Sequence, residues 1–167
     1  TYDPSTRDIY VKDATTHVVF SNTYVPPNLE ANEICEDMPE RFQEYLDRLI
    51  PPDQMSWYKS NPENRLSQQE FVLKWLSQRV QYPATDPTVA LVLTGEQGTG
   101  KSFLFDNIMR PIVGEHNYLT TNLKTMTGRF TKSIFNNTLI HIEEVDDNRT
   151  KTLDRLKELT KKHHYVE

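Results

Sequence analysis

Hydrophobic residues in the first half of this chain follow two patterns that predict different elements. Two β-prone runs, Ile9–Val11 and Val18–Phe20, enclose a polar stretch and predict a hairpin. Apolar residues then recur every three or four positions in 39–50 and 67–81, which predicts two amphipathic helices. Ser67 and Glu70 have the spacing of a capping box at the start of the second helix. We therefore expect a small β-hairpin followed by an α-helical region.

In the second half the apolar runs are continuous. Thr88–Thr94 does not alternate with polar residues, which predicts a strand buried on both faces of a parallel sheet. Ser102–Arg110 predicts a helix that ends near Pro111. Thr138–Glu144 predicts a second buried strand that finishes in two carboxylates. Weaker patterns predict a short strand at 116–121, helices at 128–135 and 149–160, and a strand that begins at His163.

Between the first of these strands and the helix lies a glycine-rich loop, Gly95-Glu96-Gln97-Gly98-Thr99-Gly100-Lys101-Ser102. It fits the P-loop pattern G-x-x-x-x-G-K-[ST] at every position. Glycines let successive N–H groups approach an anion closely, and the helix start adds partial positive charge. Lys101 would reach the β- and γ-phosphates of ATP, and the Ser102 hydroxyl would ligate Mg²⁺. The predicted nucleotide contacts are Gly95, Glu96, Gln97, Gly98, Thr99, Gly100, Lys101, Ser102 and Phe103.

The carboxylates Glu143 and Glu144 supply the partner that a P-loop needs. Two glutamates after an apolar run usually mark only a strand leaving the core, but the upstream P-loop favours a catalytic reading. We assign Glu143, with Ser102, to the metal and Glu144 to the attacking water, so that Lys101 and Glu144 are the predicted catalytic residues. Neighbouring carboxylates are expected to titrate as a coupled pair.

Composition limits the class of protein. The 167 residues suit one domain, or one with an appendage, and we divide them into a hairpin and helical region at 1–83 and a P-loop core at 84–167. Cys35 is the only cysteine, which excludes an internal disulfide and favours a reducing, cytoplasmic setting. We find no apolar stretch of membrane-spanning length and expect no membrane partner. The net charge of −5 is a small argument against a surface devoted to nucleic acid.

Three segments together resemble a known family: Trp75–Pro83, Ala90–Ser102 and Ile142–Val145. They look like the helicase-like domain that follows the primase or primase–polymerase part of phage and plasmid replication proteins. That domain is similar to superfamily 3 helicases, whose AAA+-type motors assemble as rings, usually hexamers. The chain departs from the family's common acidic pair, Asp-Glu, because Glu143 takes the place of the aspartate.

The resemblance implies an α/β fold with an AAA+-like parallel sheet, preceded by the hairpin and helices. It implies three partners: single-stranded DNA, neighbouring copies of the chain and a primase–polymerase region of the same polypeptide. It also implies that the protein acts in the host cytoplasm if it is phage-encoded. The family's sensor strand and arginine finger have no counterpart here, although Arg149 and Arg155 are weak candidates for the finger. We therefore expect a truncated core from a larger protein, which can be inactive alone.

Three functions remain open from the sequence. The leading one is a DNA helicase motor that hydrolyses Mg-ATP; the others are a P-loop phosphotransferase and a nucleotide-dependent assembly module without turnover. His141 is expected to be a hydrogen-bonded core residue, and the His163-His164 doublet with Cys35 lacks the spacing of a zinc site. The basic stretch formed by Lys124, Arg129 and Lys132 is typical of a solvated face and is only a weak candidate for DNA contact.

Overall fold

The computed structural model describes residues 4–5, 7, 10–12, 19–21, 24–27, 37–52, 66–85, 89–122, 125 and 136–143. Its elements occur in the order β1 (Tyr10–Lys12), β2 (Val19–Ser21), α1 (Glu40–Leu49), α2 (Gln68–Gln81), α3 (Lys101–Phe103), a π-helical turn (Leu104–Met109), α4 (Arg110–Val113), a 3-10 turn (Glu115–Asn117), β3 (Tyr118–Asn122) and β4 (Leu139–Glu143). We call residues 101–113 the P-loop helix, because its three segments follow one another without a break.

The N-terminal elements agree with their sequence patterns. Strands β1 and β2 pair antiparallel with Val11 opposite Phe20, so the predicted hairpin is confirmed. Helices α1 and α2 confirm both predicted helices. The capping box is also present, since Ser67 Oγ accepts from the Glu70 amide at 3.1 Å and the Glu70 carboxylate accepts from the Ser67 amide at 2.8 Å.

The P-loop helix continues through Pro111 to Val113. The predicted end at Pro111 was therefore wrong. In a regular α-helix the proline ring would meet the carbonyl four positions earlier. Here the π-helical turn comes first, and the amide of Arg110 reaches back five positions to the carbonyl of Phe105. This wider turn accommodates Pro111, and the helix ends instead at Gly114, whose φ of 89° suits glycine.

Strands β3 and β4 form a two-stranded parallel sheet. Thr120 lies opposite His141, and Asn122 lies opposite Glu143. The strands confirm the elements predicted at 116–121 and 138–144, with bounds displaced by one or two residues. The expectation that the second strand is buried was wrong, because Leu139 is the one buried residue of β4. A parallel pair agrees with the expected α/β class, and the complete P-loop NTPase sheet stays a prediction.

The segment before the P-loop differs from its prediction. Residues 89–94 are not a regular strand, and they are not buried on both faces, since Leu91 and Leu93 pack on the core whereas Val92 is 55% exposed. A strand needs a neighbour that pairs with its N–H and C=O groups. Among the described residues, β3 and β4 pair only with each other. The segment is held instead by Trp75, whose Nε1 donates to the carbonyl of Val89 at 2.8 Å.

One apolar core joins the helices to the sheet. Its buried members are Ile50, Val72, Leu76, Leu104, Phe105, Met109, Val113, Tyr118 and Leu139. The core contains residues from both sides of the predicted boundary at 83/84, and that boundary stays a prediction. Fully buried Asn117 adds polar contacts, because its Nδ2 donates to the carbonyls of Val25 at 2.6 Å and Val113 at 2.8 Å. This amide therefore fixes the 24–27 segment against the end of the P-loop helix.

Several predictions lie outside the described residues. These are the helices at 128–135 and 149–160, the strand at His163, the second glutamate Glu144, the basic residues Lys124, Arg129 and Lys132, and the arginine candidates Arg149 and Arg155. Within the described part of the chain, no helix has the length and apolar character that crossing a bilayer requires.

Candidate nucleotide-binding site

The glycine-rich loop lies directly before the P-loop helix, as the sequence predicts. Gly98 and Gly100 have φ values of 84° and 93°, a left-handed backbone that other residues rarely adopt. These two positions let the loop turn back on itself and enter the helix at Lys101. The first-turn N–H groups of a helix lack partners within the helix, so they are available to an anion.

Lys101 lies at the centre of this loop. Its Nζ donates to the carbonyls of Gly95 at 3.0 Å and Glu96 at 2.5 Å, and to the Thr99 hydroxyl at 3.0 Å. Thr99 in turn donates to the Glu96 carbonyl at 3.0 Å. The loop therefore encloses the ammonium group of its own lysine, which places a positive charge among the predicted phosphate contacts. Ser102 and Phe103 are exposed, with Phe103 at 50%.

A residue that the motif does not include also contacts the loop. Tyr45 of α1 donates from its hydroxyl to the carbonyl of Gly100 at 2.8 Å, and its ring packs edge-on against Phe103 with centroids 5.6 Å apart. Burial raises the pKa of Tyr45 to about 12, so the hydroxyl remains a donor at neutral pH. The apolar stripe of α1 placed Tyr45 on the packed face of the helix, but nothing in the sequence indicated the loop as its partner.

Glu143 ends β4 and is exposed, at the carboxyl edge where the sequence predicted a metal ligand. It lies beside Asp106 of the P-loop helix and His141 of β4. One potential ligand atom from each of these three side chains lies within 4.8 Å of the others. The structure therefore brings the metal-side glutamate together with a second carboxylate that the motif search missed.

Asp106 is the acceptor of a hydrogen-bond network. Its Oδ1 lies 2.8 Å from the donating hydroxyl of Tyr118, 3.3 Å from that of Thr120 and 3.2 Å from Nδ1 of His141. Burial raises the pKa of the Asp106 carboxyl, but the donors and the charge of His141 outweigh this, so that its pKa lies below the usual value. Burial and the Asp106 carboxylate together raise the pKa of Tyr118. Asp106 thus stays ionised and joins the P-loop helix to both strands.

His141 has the environment that the sequence predicted. Its side chain is 11% exposed, contacts Asp106 and stacks on Phe105 with centroids 4.9 Å apart. It is a hydrogen-bonded core histidine. Asp106 could have been found from the sequence as the only carboxylate within 101–113, one helical turn after Ser102.

These groups fit Mg-ATP chemically. Backbone N–H groups and the Lys101 ammonium suit phosphate oxygens, and the oxygens of Ser102, Asp106 and Glu143 are the donors that Mg²⁺ prefers. The imidazole of His141 would also suit a transition metal. The cluster of Asp106, His141 and Glu143 therefore has donors that suit a divalent cation at the carboxyl edge of β4, and a part for Ser102 in the same site stays a prediction.

Comparisons with known proteins give a family of unknown function and one phage protein as similar to this chain. Residues 93–167 match the model of a family described as a family of unknown function (DUF5906). The DNA Primase-polymerase of Nitratiruptor phage NrS-1 is 26% identical over 149 residues, which is 89% of this chain and 18% of that protein. The chain thus spans less than a fifth of its relative's length. No solved structure matches.

The relative supports a part of the expected resemblance. A relation to a phage replication protein agrees with the family proposed from the sequence. The helicase-like domain, the AAA+ fold and the ring assembly stay predictions. The matched family segment includes the P-loop from its first glycine and both strands of the parallel sheet.

Proposed function

We propose that this chain is the Mg-ATP-binding and ATP-hydrolysing module of a phage-type DNA replication protein, acting as the motor of a helicase. The observation that carries the proposal is the loop around Lys101. Its ammonium group lies within hydrogen-bond distance of two loop carbonyls and a hydroxyl, at the start of a helix. This arrangement of a positive charge at the first turn of a helix suits a triphosphate.

Each residue has a defined role in the proposed reaction. The loop 95–100 and the amides of the first helical turn bind the phosphates, and Lys101 stabilises the charge that develops on the γ-phosphoryl oxygens. Ser102 and Glu143 would hold the cation, which would supply positive charge to offset the β- and γ-phosphates. Glu144 orients the attacking water and accepts its proton. Asp106 fixes His141 and thereby the end of β4 that carries Glu143.

DNA is the proposed partner of the motor. The name of the phage relative, a DNA Primase-polymerase, supports an association with DNA and an enzymatic role for the longer protein. The family resemblance adds a homo-oligomeric ring with ATP between neighbouring copies and a primase–polymerase region in the same polypeptide.

Phosphate release tests the proposal against its alternatives. We would measure it for the chain and for a longer polypeptide that contains the primase–polymerase region, with and without single-stranded DNA at low salt, where phosphate contacts contribute most. The motor predicts that single-stranded DNA raises the rate. Equal rates with and without DNA would contradict it. Phosphate transfer to a small acceptor would indicate a phosphotransferase, and ATP binding without turnover would indicate an assembly module.

A further inference from the structure

Tyr45 and Gly100 are far apart in the chain but make a direct contact. The Tyr45 hydroxyl donates to the Gly100 carbonyl at 2.8 Å across 55 positions. The same carbonyl accepts from the amide of Leu104 at 3.2 Å, in the first turn of the P-loop helix. The Gly100 carbonyl is thus held by two donors, the Tyr45 hydroxyl of α1 and the Leu104 amide of the P-loop helix.

The contact also fixes the next amide. A peptide unit is planar, so the carbonyl of Gly100 and the N–H of Lys101 point in opposite directions from one rigid group. When Tyr45 holds the oxygen, the Lys101 N–H is oriented as well. Because that N–H begins the helix, it is one of the donors available to a phosphate. A hydrogen bond to the carbonyl also polarises the peptide and strengthens its N–H as a donor.

The tyrosine ring adds a second constraint. A Cβ atom placed on Gly100 would lie 3.1 Å from Cε2 of Tyr45, whereas one placed on Gly98 would have nothing within 4 Å. The ring therefore packs closely on the loop at the one glycine that precedes Lys101. Its edge-on contact with Phe103 extends this packing to the first turn of the P-loop helix.

We propose that Tyr45 is a positioning residue for the phosphate-binding loop, which orients the Gly100–Lys101 peptide and makes α1 a part of the nucleotide site. This inference rests on the proposed function, because it requires that the loop binds a nucleotide. It deepens that function by giving a residue from the 1–83 region a direct effect on nucleotide affinity.

The test compares Tyr45→Phe with two control variants. Tyr45→Phe keeps the ring and removes only the hydroxyl. Ser67→Ala removes a helix cap on α2, away from the loop, and serves as a control for lost stability. Tyr82→Phe removes an exposed hydroxyl and serves as a control for the substitution type. For each we would measure Mg-ATP affinity by calorimetry and amide hydrogen exchange of the 95–103 segment in the nucleotide-free protein.

We expect Tyr45→Phe to bind Mg-ATP about threefold to tenfold more weakly, which is the effect of one hydrogen bond. Amide exchange in 95–103 should become faster, and both controls should match the wild type in affinity and loop exchange. If the wild type binds Mg-ATP and Tyr45→Phe binds it equally well, Tyr45 has no positioning role and the proposed function stands. If the wild type itself binds no Mg-ATP, the proposed function fails and this inference fails with it.

Discussion

The Nδ1 atom of His141 lies 3.2 Å from Oδ1 of Asp106, and this contact connects the P-loop helix to the strand that ends at Glu143. The P-loop and the strand that ends at Glu143 are distant in the chain. A contact of this kind holds the P-loop helix and the strand in a fixed relative position. Tyr118 and Thr120 reinforce it from the neighbouring strand by donating to the same carboxylate.

Asp106→Ala should therefore destabilise the protein. Three donors lose their acceptor, and one of them is the hydroxyl of Tyr118, a buried residue. We expect the free energy of unfolding to fall by about 1–3 kcal/mol, measured by urea denaturation. Glu44→Ala is the matched control, because this exposed carboxylate has only a long contact with Arg48 and should change stability by less than about 0.5 kcal/mol. Equal effects of the two substitutions would contradict the role given to Asp106.

The same carboxylate predicts a pH dependence in acid. The pKa of Asp106 is lower in the folded protein than in the unfolded chain. Its ionised carboxylate therefore makes its full contribution to folding stability at a pH above its pKa in the unfolded chain, about 3.9. It is lost as the pH falls from there through the folded-state pKa. Urea denaturation between about pH 6 and pH 3 should show a steeper loss of stability for the wild type than for Asp106→Asn. Parallel curves would show that Asp106 is not the group responsible.

Two glycine substitutions separate backbone strain from the contact with Tyr45. Gly98 and Gly100 both have positive φ, so alanine at either position should cost about 1 kcal/mol or more in folding free energy. Only at Gly100 would the new Cβ also lie 3.1 Å from the Tyr45 ring. Gly100→Ala should thus lower the thermal midpoint more than Gly98→Ala does. The reverse order would mean that the ring does not pack on the loop.

Glu144→Gln tests the assignment of the catalytic base. The amide keeps the size of the side chain but cannot accept a proton from water, so turnover should be lost while Mg-ATP binding is retained. Phosphate release and calorimetry on the same sample measure the two properties. Normal hydrolysis by Glu144→Gln would remove Glu144 from the mechanism.

Local patterns predicted most of the elements. The capping box of Ser67 and Glu70 and the strand that ends at Glu143 depend on residues close together in the chain, and the structure confirms both. The glycine-rich loop precedes a helix as expected, and its binding of a nucleotide stays a prediction. The predicted end of the P-loop helix was wrong because a π-helical turn accommodates Pro111, and such a turn has no simple sequence pattern.

Contacts between distant residues could not be predicted in this way. Tyr45 and Gly100 are 55 positions apart, and Asp106 and His141 are 35 apart. Tyr45 matches the apolar stripe of α1, and Asp106 is the only carboxylate of the P-loop helix. Neither position specifies a partner. The continuous apolar pattern of Thr88–Thr94 predicted a strand, but strand formation depends on a pairing neighbour that a local pattern does not specify.

Calorimetric titration with Mg-ATP tests the proposed site most directly. The wild type should bind, and Lys101→Ala should lose all or nearly all of this binding and abolish hydrolysis, because its ammonium supplies the charge inside the loop. Lys74→Ala, which removes an exposed lysine on α2, should bind like the wild type. Equal binding by wild type and Lys101→Ala, or no binding by the wild type, would contradict the assignment of this loop as a nucleotide site.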